Sequence, residues 1–137
     1  MRILPGKPVI AATAEGVSLV LHEPLSWWGG IDSTTGAVID RHHPQYGAET
    51  AGRILILPHG RGSSGGSAVL AESIRAGTGP AGLVLRAVDP ILVVGLLAAA
   101  ELYPDRPCPL VVVPDGYESL ASGSPTRIRT DGTVEQY

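Results

Sequence analysis

Phenylalanine is absent from this 137-residue chain, and cysteine occurs once. With aromatic residues at only 4%, the core has to be built from Val, Ile, Leu and Ala. A lone thiol, Cys108, rules out an internal disulfide. It also rules out an iron–sulfur cluster held by this chain alone, because such clusters take about four cysteine ligands. Positive charge is in deficit: 10 Lys and Arg against 13 Asp and Glu leave a formal net charge of −3, where a nucleic-acid footprint is ordinarily basic. The longest apolar run, near residues 91–100, falls well short of the ~20 residues that cross a bilayer. Residues 1–16 have no apolar segment of the signal-peptide kind. These absences predict a soluble cytoplasmic protein that binds neither nucleic acid nor membrane.

Hydrophobic residues make up 44% of the chain and charged ones 17%, the composition of a folded globular chain. The length suits one domain, expected to occupy residues 1–137, and suffices to bury a core without disulfide or metal staples. Gly and Pro are frequent, 18 and 12, and spread throughout, which predicts many short elements joined by tight turns.

Residues 17–21 (VSLVL) read as a strand, and 53–57 (RILIL) as a buried strand stopped by Pro58. The stretch between them reads as loops around a short strand at 37–39. Residues 67–76 carry a helical apolar stripe, with Gly77 as terminator. Residues 82–85 (GLVL) and 110–113 (LVVV) read as further strands. Asp89-Pro90 is a helix start, Asp as N-cap and Pro at the first helical position. The helix should run to about Tyr103 and, being apolar nearly all round, lie largely buried. Residues 126–130 and 133–136 should pair through an Asp131-Gly132 turn. The order predicts an α/β fold, a small mixed sheet or barrel with helices packed against it, its central βαβα segment parallel.

One segment carries the chemistry: His59-Gly60-Arg61-Gly62-Ser63-Ser64-Gly65-Gly66-Ser67. It follows a buried strand and opens a helix, whose N-terminus offers free N–H groups and a positive partial charge. A serine held there could bind an anion or act as an alkoxide. Gly60-x-Gly62-x-x-Gly65 also matches a dinucleotide fingerprint. The strand at 82–85 is followed by Arg86 rather than by the acid that fingerprint requires. No Lys follows the glycines, which excludes a Walker A loop, and Gly62-Ser63-Ser64-Gly65 is one residue too short for a nucleophile elbow. A plain reading also stands: a Gly/Ser turn with Ser67 as helix cap. Elsewhere, His22, His42, His43 and His59 match no metal-ligand spacing, so no metal site is expected on this chain. Asp32 and Asp40 read as turn formers. Trp27-Trp28 would stack on a substrate ring or pack at a subunit interface or barrel end.

The strings Trp28-Gly29-Gly30-Ile31-Asp32, Thr35-Gly36-Ala37-Val38-Ile39-Asp40 and His43-Pro44 resemble the opening of the aconitase X swivel family. Gly52-Arg53-Ile54-Leu55 leading into Gly60-Arg61-Gly62-Ser63-Ser64-Gly65-Gly66-Ser67 resembles its signature loop, and Asp89-Pro90-Ile91 and Glu101-Leu102-Tyr103 resemble later motifs. The likeness covers residues 23–113. It implies a swivelling β/β/α domain acting as the small subunit of a two-chain hydro-lyase. Its partner would be an aconitase X-like large subunit, giving a heterodimer with an iron or iron–sulfur centre on the large chain and none on this one. It implies Ser63 as the base that takes the substrate proton, with Ser64 beside it. Arg61, Gly62, Gly65, Gly66 and Ser67 are the loop residues expected to bind the substrate; by its place in the loop Arg61 either pairs with a carboxylate of the substrate or forms a surface salt bridge. Aconitase proper carries a substrate-binding Arg where Gly65 stands, a departure that points to a smaller hydroxy acid. The family's substrates are cis-3-hydroxy-L-proline in bacteria and mevalonate 5-phosphate in archaea. The Ala-, Gly- and Arg-rich style favours the first. A stand-alone nucleotide- or ligand-binding domain is the alternative.

Overall fold

In the computed structural model, which describes residues 1–137, eight strands form one mixed sheet. They are β1 (Arg2–Leu4), β2 (Lys7–Ile10), β3 (Ala14–Val20), β4 (Ile54–Leu57), β5 (Gly82–Leu85), β6 (Leu110–Val112), β7 (Pro125–Ile128) and β8 (Val134–Gln136). The spatial order is β1-β8-β7-β3-β4-β5-β6-β2. Strands β3 to β6 run parallel, and the flanking pairings are antiparallel. Three α-helical segments, α1 (Trp27–Gly30), α2 (Gly65–Ala76) and α3 (Pro90–Leu102), and one 3-10 turn (Tyr117–Ser119) complete the chain.

Strands β4 to β6 are buried on both faces, which is why they read as continuous aliphatic runs. Alternate side chains go to different cores. Leu55, Leu57, Leu83, Leu85 and Leu110 join the cluster that includes Leu70, Ile74, Leu92 and Leu96 of α2 and α3. Ile54, Ile56, Val84 and Val111 join Val113, Tyr117, Leu120, Ile128 and Val134 on the other side. Only Pro5 and Gly6 separate β1 from β2, yet these strands form opposite edges of the sheet. The sheet therefore curls until its edges meet, and a second core fills its inside. At that meeting point Gly6 and Gly132 approach so closely that a side chain at either would collide with the other's backbone.

Both long helices are bounded as their sequences require. Gly77 ends α2 in the left-handed region (φ 78°), its amide donating to the Ile74 carbonyl. The Asp89 carboxylate caps α3, accepting from the Ile91 and Leu92 amides at 2.9 and 3.2 Å, with Pro90 at the first position. The expected hairpin pairs β7 with β8, and Asp131 Oδ1 accepts from the Thr133 amide in its turn.

Several expectations need correction. Helix α3 buries one face, through Leu92, Gly95, Leu96 and Ala99, while Val94 and Leu97 are 56% and 55% exposed. An outer helix has one neighbouring layer to cover, whatever its composition. Residues 37–39 form isolated bridges to Val38's and Ala37's partners, Ile31 and Glu49, rather than a strand. Strands β1 and β2 went unread because they are short and largely exposed, with little period-2 pattern. No helix is long and apolar enough to cross a membrane.

Where α2 crosses α3, Gly95 sits against Ser67: a Cβ at residue 95 would lie 2.8 Å from the Ser67 carbonyl oxygen and 3.2 Å from its Cα. Gly95→Ala should therefore force the helices apart and destabilise the fold by about 1–3 kcal/mol, measured as a lowered urea midpoint. An unchanged midpoint would show that the crossing tolerates a methyl group.

Candidate functional site

The β4–α2 loop leaves the sheet at the C-terminal edge of the parallel strands, where open α/β sheets place their ligands. Gly60 is buried there against the α3 cap: a Cβ at residue 60 would lie 2.7 Å from Asp89 Oδ2. Gly62 and Ser63 follow with φ of 61° and 55°. Ser63 is the one non-glycine residue in the chain with a positive φ, a conformation that costs an L-residue roughly 1–2 kcal/mol.

Ser64 returns to helical angles (φ −62°, ψ −21°) as the N-cap of α2, but its hydroxyl makes no cap bond. The cap role expected of Ser67 is overturned. Ser67 is the third residue of α2, and its Oγ donates to the Ile91 carbonyl at 2.6 Å, tying α2 to α3. The loop's other side-chain bond runs from His59 Nδ1 to the Gly60 carbonyl at 2.5 Å, and neither Ser63 nor Ser64 takes part in these contacts. Both serines are exposed. The Gly66 and Ser67 amides donate back to the carbonyls of Ser63 and Ser64 at 3.0 and 3.3 Å, while no backbone acceptor faces the Gly65 amide. The turn thus presents two free hydroxyls and a free N–H at the positive end of a 12-residue helix.

The residues expected to bind substrate divide into two groups. Arg61 and Gly62 are exposed beside Ser63, Arg61 outside all three ion pairs of the chain, and Gly65 is half-buried. Gly66 is buried instead: its Cβ position lies 3.4 Å from Ile91 Cγ2 and 3.7 Å from Trp27 Cβ. Through these contacts and the Ser67 bond, Gly66 and Ser67 hold α2 in place. Asp89 and Trp28, read from the sequence as a helix cap and as a stacking or packing residue, also touch the loop. Asp89 does more than cap α3, since it also walls Gly60. Trp28 lies across Gly65, with ring atoms Cε3 and Cδ2 at 2.8 and 3.0 Å from the Cβ position. The signal for Trp28 was the Gly29-Gly30 pair after it, which frees the backbone to turn.

No cluster of three or more His, Cys, Asp and Glu occurs that could hold a metal. Buried His43 is structural: Nε2 donates to the Glu23 carbonyl and Nδ1 accepts from the Gln45 amide, each at 3.0 Å. Asp32 and Asp40 form turns, accepting from the Thr34 and His42 amides at 2.9 Å. The bond from the Thr34 hydroxyl also holds the Asp32 carboxyl below its usual value. Burial pushes the Cys108 thiol up to about 12.

The aconitase X swivel domain model matches residues 3–136. A cis-3-hydroxy-L-proline dehydratase of Pseudomonas aeruginosa is 40% identical over 94% of this chain, and the chain spans only 22% of that protein's length. A phosphomevalonate dehydratase small subunit of Methanopyrus kandleri is 42% identical over 88% of this chain and 86% of its own. The crystal structure of Thermococcus kodakaraensis aconitase X (holo-form) contains a chain that superposes with a TM-score of 0.88. It is 31% identical and covers 100% of this chain and 99% of that one.

Two outcomes follow from this geometry. Ser63→Gly removes the Cβ that the left-handed region penalises, so it should stabilise the fold by about 1 kcal/mol, read from chemical denaturation; a loss of stability would mean the side chain makes native contacts. The Cys108 thiol should resist dithiobis(nitrobenzoate) in the native protein at mildly alkaline pH and react on unfolding, because only the thiolate attacks. Rapid labelling of the native protein would contradict its burial.

Proposed function

The chain belongs to the aconitase X swivel domain family, and on that premise we propose that it is the small subunit of a hydro-lyase in which Ser63 is the general base. The observation that carries this reading is the conformation of Ser63, a strained residue with an unengaged, exposed hydroxyl at the start of α2. Backbone strain persists where the surroundings over-determine it, and it concentrates at functional sites. An ordinary serine is too weakly acidic to serve as a base at neutral pH. The positive end of α2, the free Gly65 amide and the Arg61 guanidinium next in the loop all favour the alkoxide.

The reaction is a β-elimination. The Ser63 alkoxide takes the proton from C2 of cis-3-hydroxy-L-proline, the carbon bearing the carboxylate. The freed electron pair forms the C2–C3 double bond as hydroxide leaves C3, and the enamine tautomerises to Δ1-pyrroline-2-carboxylate. Ser63 returns its proton to water. Ser64 and Arg61 orient the substrate, Arg61 by pairing with its carboxylate. This chain's residues do not fit a metal centre. An iron or iron–sulfur centre on the large subunit would supply the Lewis acid for the departing hydroxyl.

Support for a large partner comes from the relatives. The Pseudomonas enzyme is more than four times the matched length, so most of it lies in sequence this chain lacks, and the Methanopyrus relative is named a small subunit. The same relatives keep a second substrate in view. Mevalonate 5-phosphate is favoured by the match to nearly the whole of a separate phosphomevalonate dehydratase subunit.

Co-expression with the large subunit from the same genome tests the proposal, each chain alone serving as control. The pair should dehydrate cis-3-hydroxy-L-proline and leave mevalonate 5-phosphate untouched, and neither chain should act alone. Ser63→Ala should cut turnover by at least about 10²–10⁴-fold with assembly intact. An active Ser63→Ala pair would sink the base assignment, and turnover of mevalonate 5-phosphate alone would transfer the enzyme to the second reading.

A further inference from the structure

Two adjacent tryptophans have opposite fates. Trp27 is 1% exposed and belongs to the helix-side core, whereas Trp28 is 63% exposed. The backbone of α1 creates this split. Trp28 leaves helical angles (ψ 110°), Gly29 takes φ 76°, and the indole is carried outward over the start of α2. The turn is held firmly. The Ser26 hydroxyl donates to the Trp28 carbonyl at 3.2 Å, and the Ile39 amide to the Gly30 carbonyl at 2.8 Å. Gly30 itself packs on Leu25, its Cβ position 2.9 Å from Leu25 Cδ1. One edge of the ring rests on Gly65, with Cε3, Cδ2 and Cζ3 at 2.8, 3.0 and 3.4 Å from the Cβ position. Residue 65 must therefore stay bare for the ring to sit there. The tryptophan is otherwise largely exposed, and the glycine under its ring stands two residues along the chain from Ser63.

A large apolar group fixed in place yet left uncovered calls for an explanation, and its chemistry suggests one. The face of an indole carries negative quadrupole charge and is the best aromatic receptor for a cation. Residues 59–67 contain no carboxylate. The nearby Asp89 spends one oxygen on the α3 amides and turns the other toward Gly60. The loop thus offers a ligand cation an aromatic face and no acid. The ammonium nitrogen of a proline-type substrate is bonded to the same carbon from which Ser63 takes the proton, so it cannot lie far from that serine.

We infer that Trp28 is a specificity-determining residue whose indole receives the substrate's cationic nitrogen, selecting cyclic amino acids over hydroxy acids that carry no cation. The inference rests on the reading of the Ser63 loop as the substrate site. It accounts for Gly65 as well: the glycine is the seat of the ring.

Calorimetric binding to the assembled two-chain complex tests this without turnover, using L-proline and its oxygen isostere tetrahydrofuran-2-carboxylate. The wild type should prefer L-proline. Trp28→Leu should lower affinity for L-proline about tenfold, the factor that ~1.4 kcal/mol of cation–π attraction gives, and leave the isostere unchanged. Trp28→Phe should keep most of the preference. The same pattern should hold in a Ser63→Ala complex, so a wrong base assignment would show in turnover while this pattern survived. The inference is overturned if the wild-type complex binds neither compound, or if Trp28→Leu leaves the ratio of affinities unchanged. It is equally overturned if Trp28→Leu blocks assembly of the complex, which would make the indole a subunit contact.

Discussion

A serine in the left-handed region lasts only where the chain on both sides of it is held, and the anchoring of Ser63 is the constraint on which the site depends. Upstream, β4 is buried along its whole length and enters both cores. Downstream, α2 is pinned by the Ser67 bond to the Ile91 carbonyl and by the close seat of Gly95 on Ser67. Between them Gly60 is wedged against the Asp89 carboxylate, which is itself locked by its cap bonds. Three or four residues must then bridge two fixed ends, and the left-handed pair Gly62–Ser63 is the conformation that does so. The local cost, roughly 1–2 kcal/mol, is small beside the burial that enforces it.

The same arrangement links fold to chemistry. Helix α3 contributes no side chain to the turn, yet its cap walls Gly60 and its crossing fixes the direction of α2. The sheet brings the loop to the edge where the parallel strands end, and α1 lays an indole beside it. The loop brings together free hydroxyls, a free amide and a cationic side chain, and no cluster of three or more His, Cys, Asp and Glu occurs in the chain.

Much of this was legible in the sequence. The aliphatic runs marked β4, β5 and β6 because strands buried on both faces leave a continuous signature. Asp89-Pro90 and Gly77 marked helix ends because capping is local chemistry. The Gly62-Ser63-Ser64 turn stood out for its glycines and its resemblance to the family loop. Long-range consequences were hidden. The sequence could not say which of two adjacent tryptophans would be buried, since both are apolar and the answer depends on the angles at Trp28 and Gly29. Ser67 resembled a cap but found its acceptor 24 residues away. The exposed face of α3 was misjudged because apolarity measures what a helix can bury, and only its neighbours decide what it does bury.

Removal of the C2 proton by Ser63 is the central claim, and the fate of that hydrogen tests it most directly. The assembled complex is given cis-3-hydroxy-L-proline carrying deuterium at C2, and label entering water is followed alongside product. The account predicts that the wild-type complex loses the label in step with dehydration. The Ser63→Ala complex should bind the substrate and keep its label. Loss of deuterium from the Ser63→Ala complex at the wild-type rate would show that another group is the base, and the strained serine would need a different explanation.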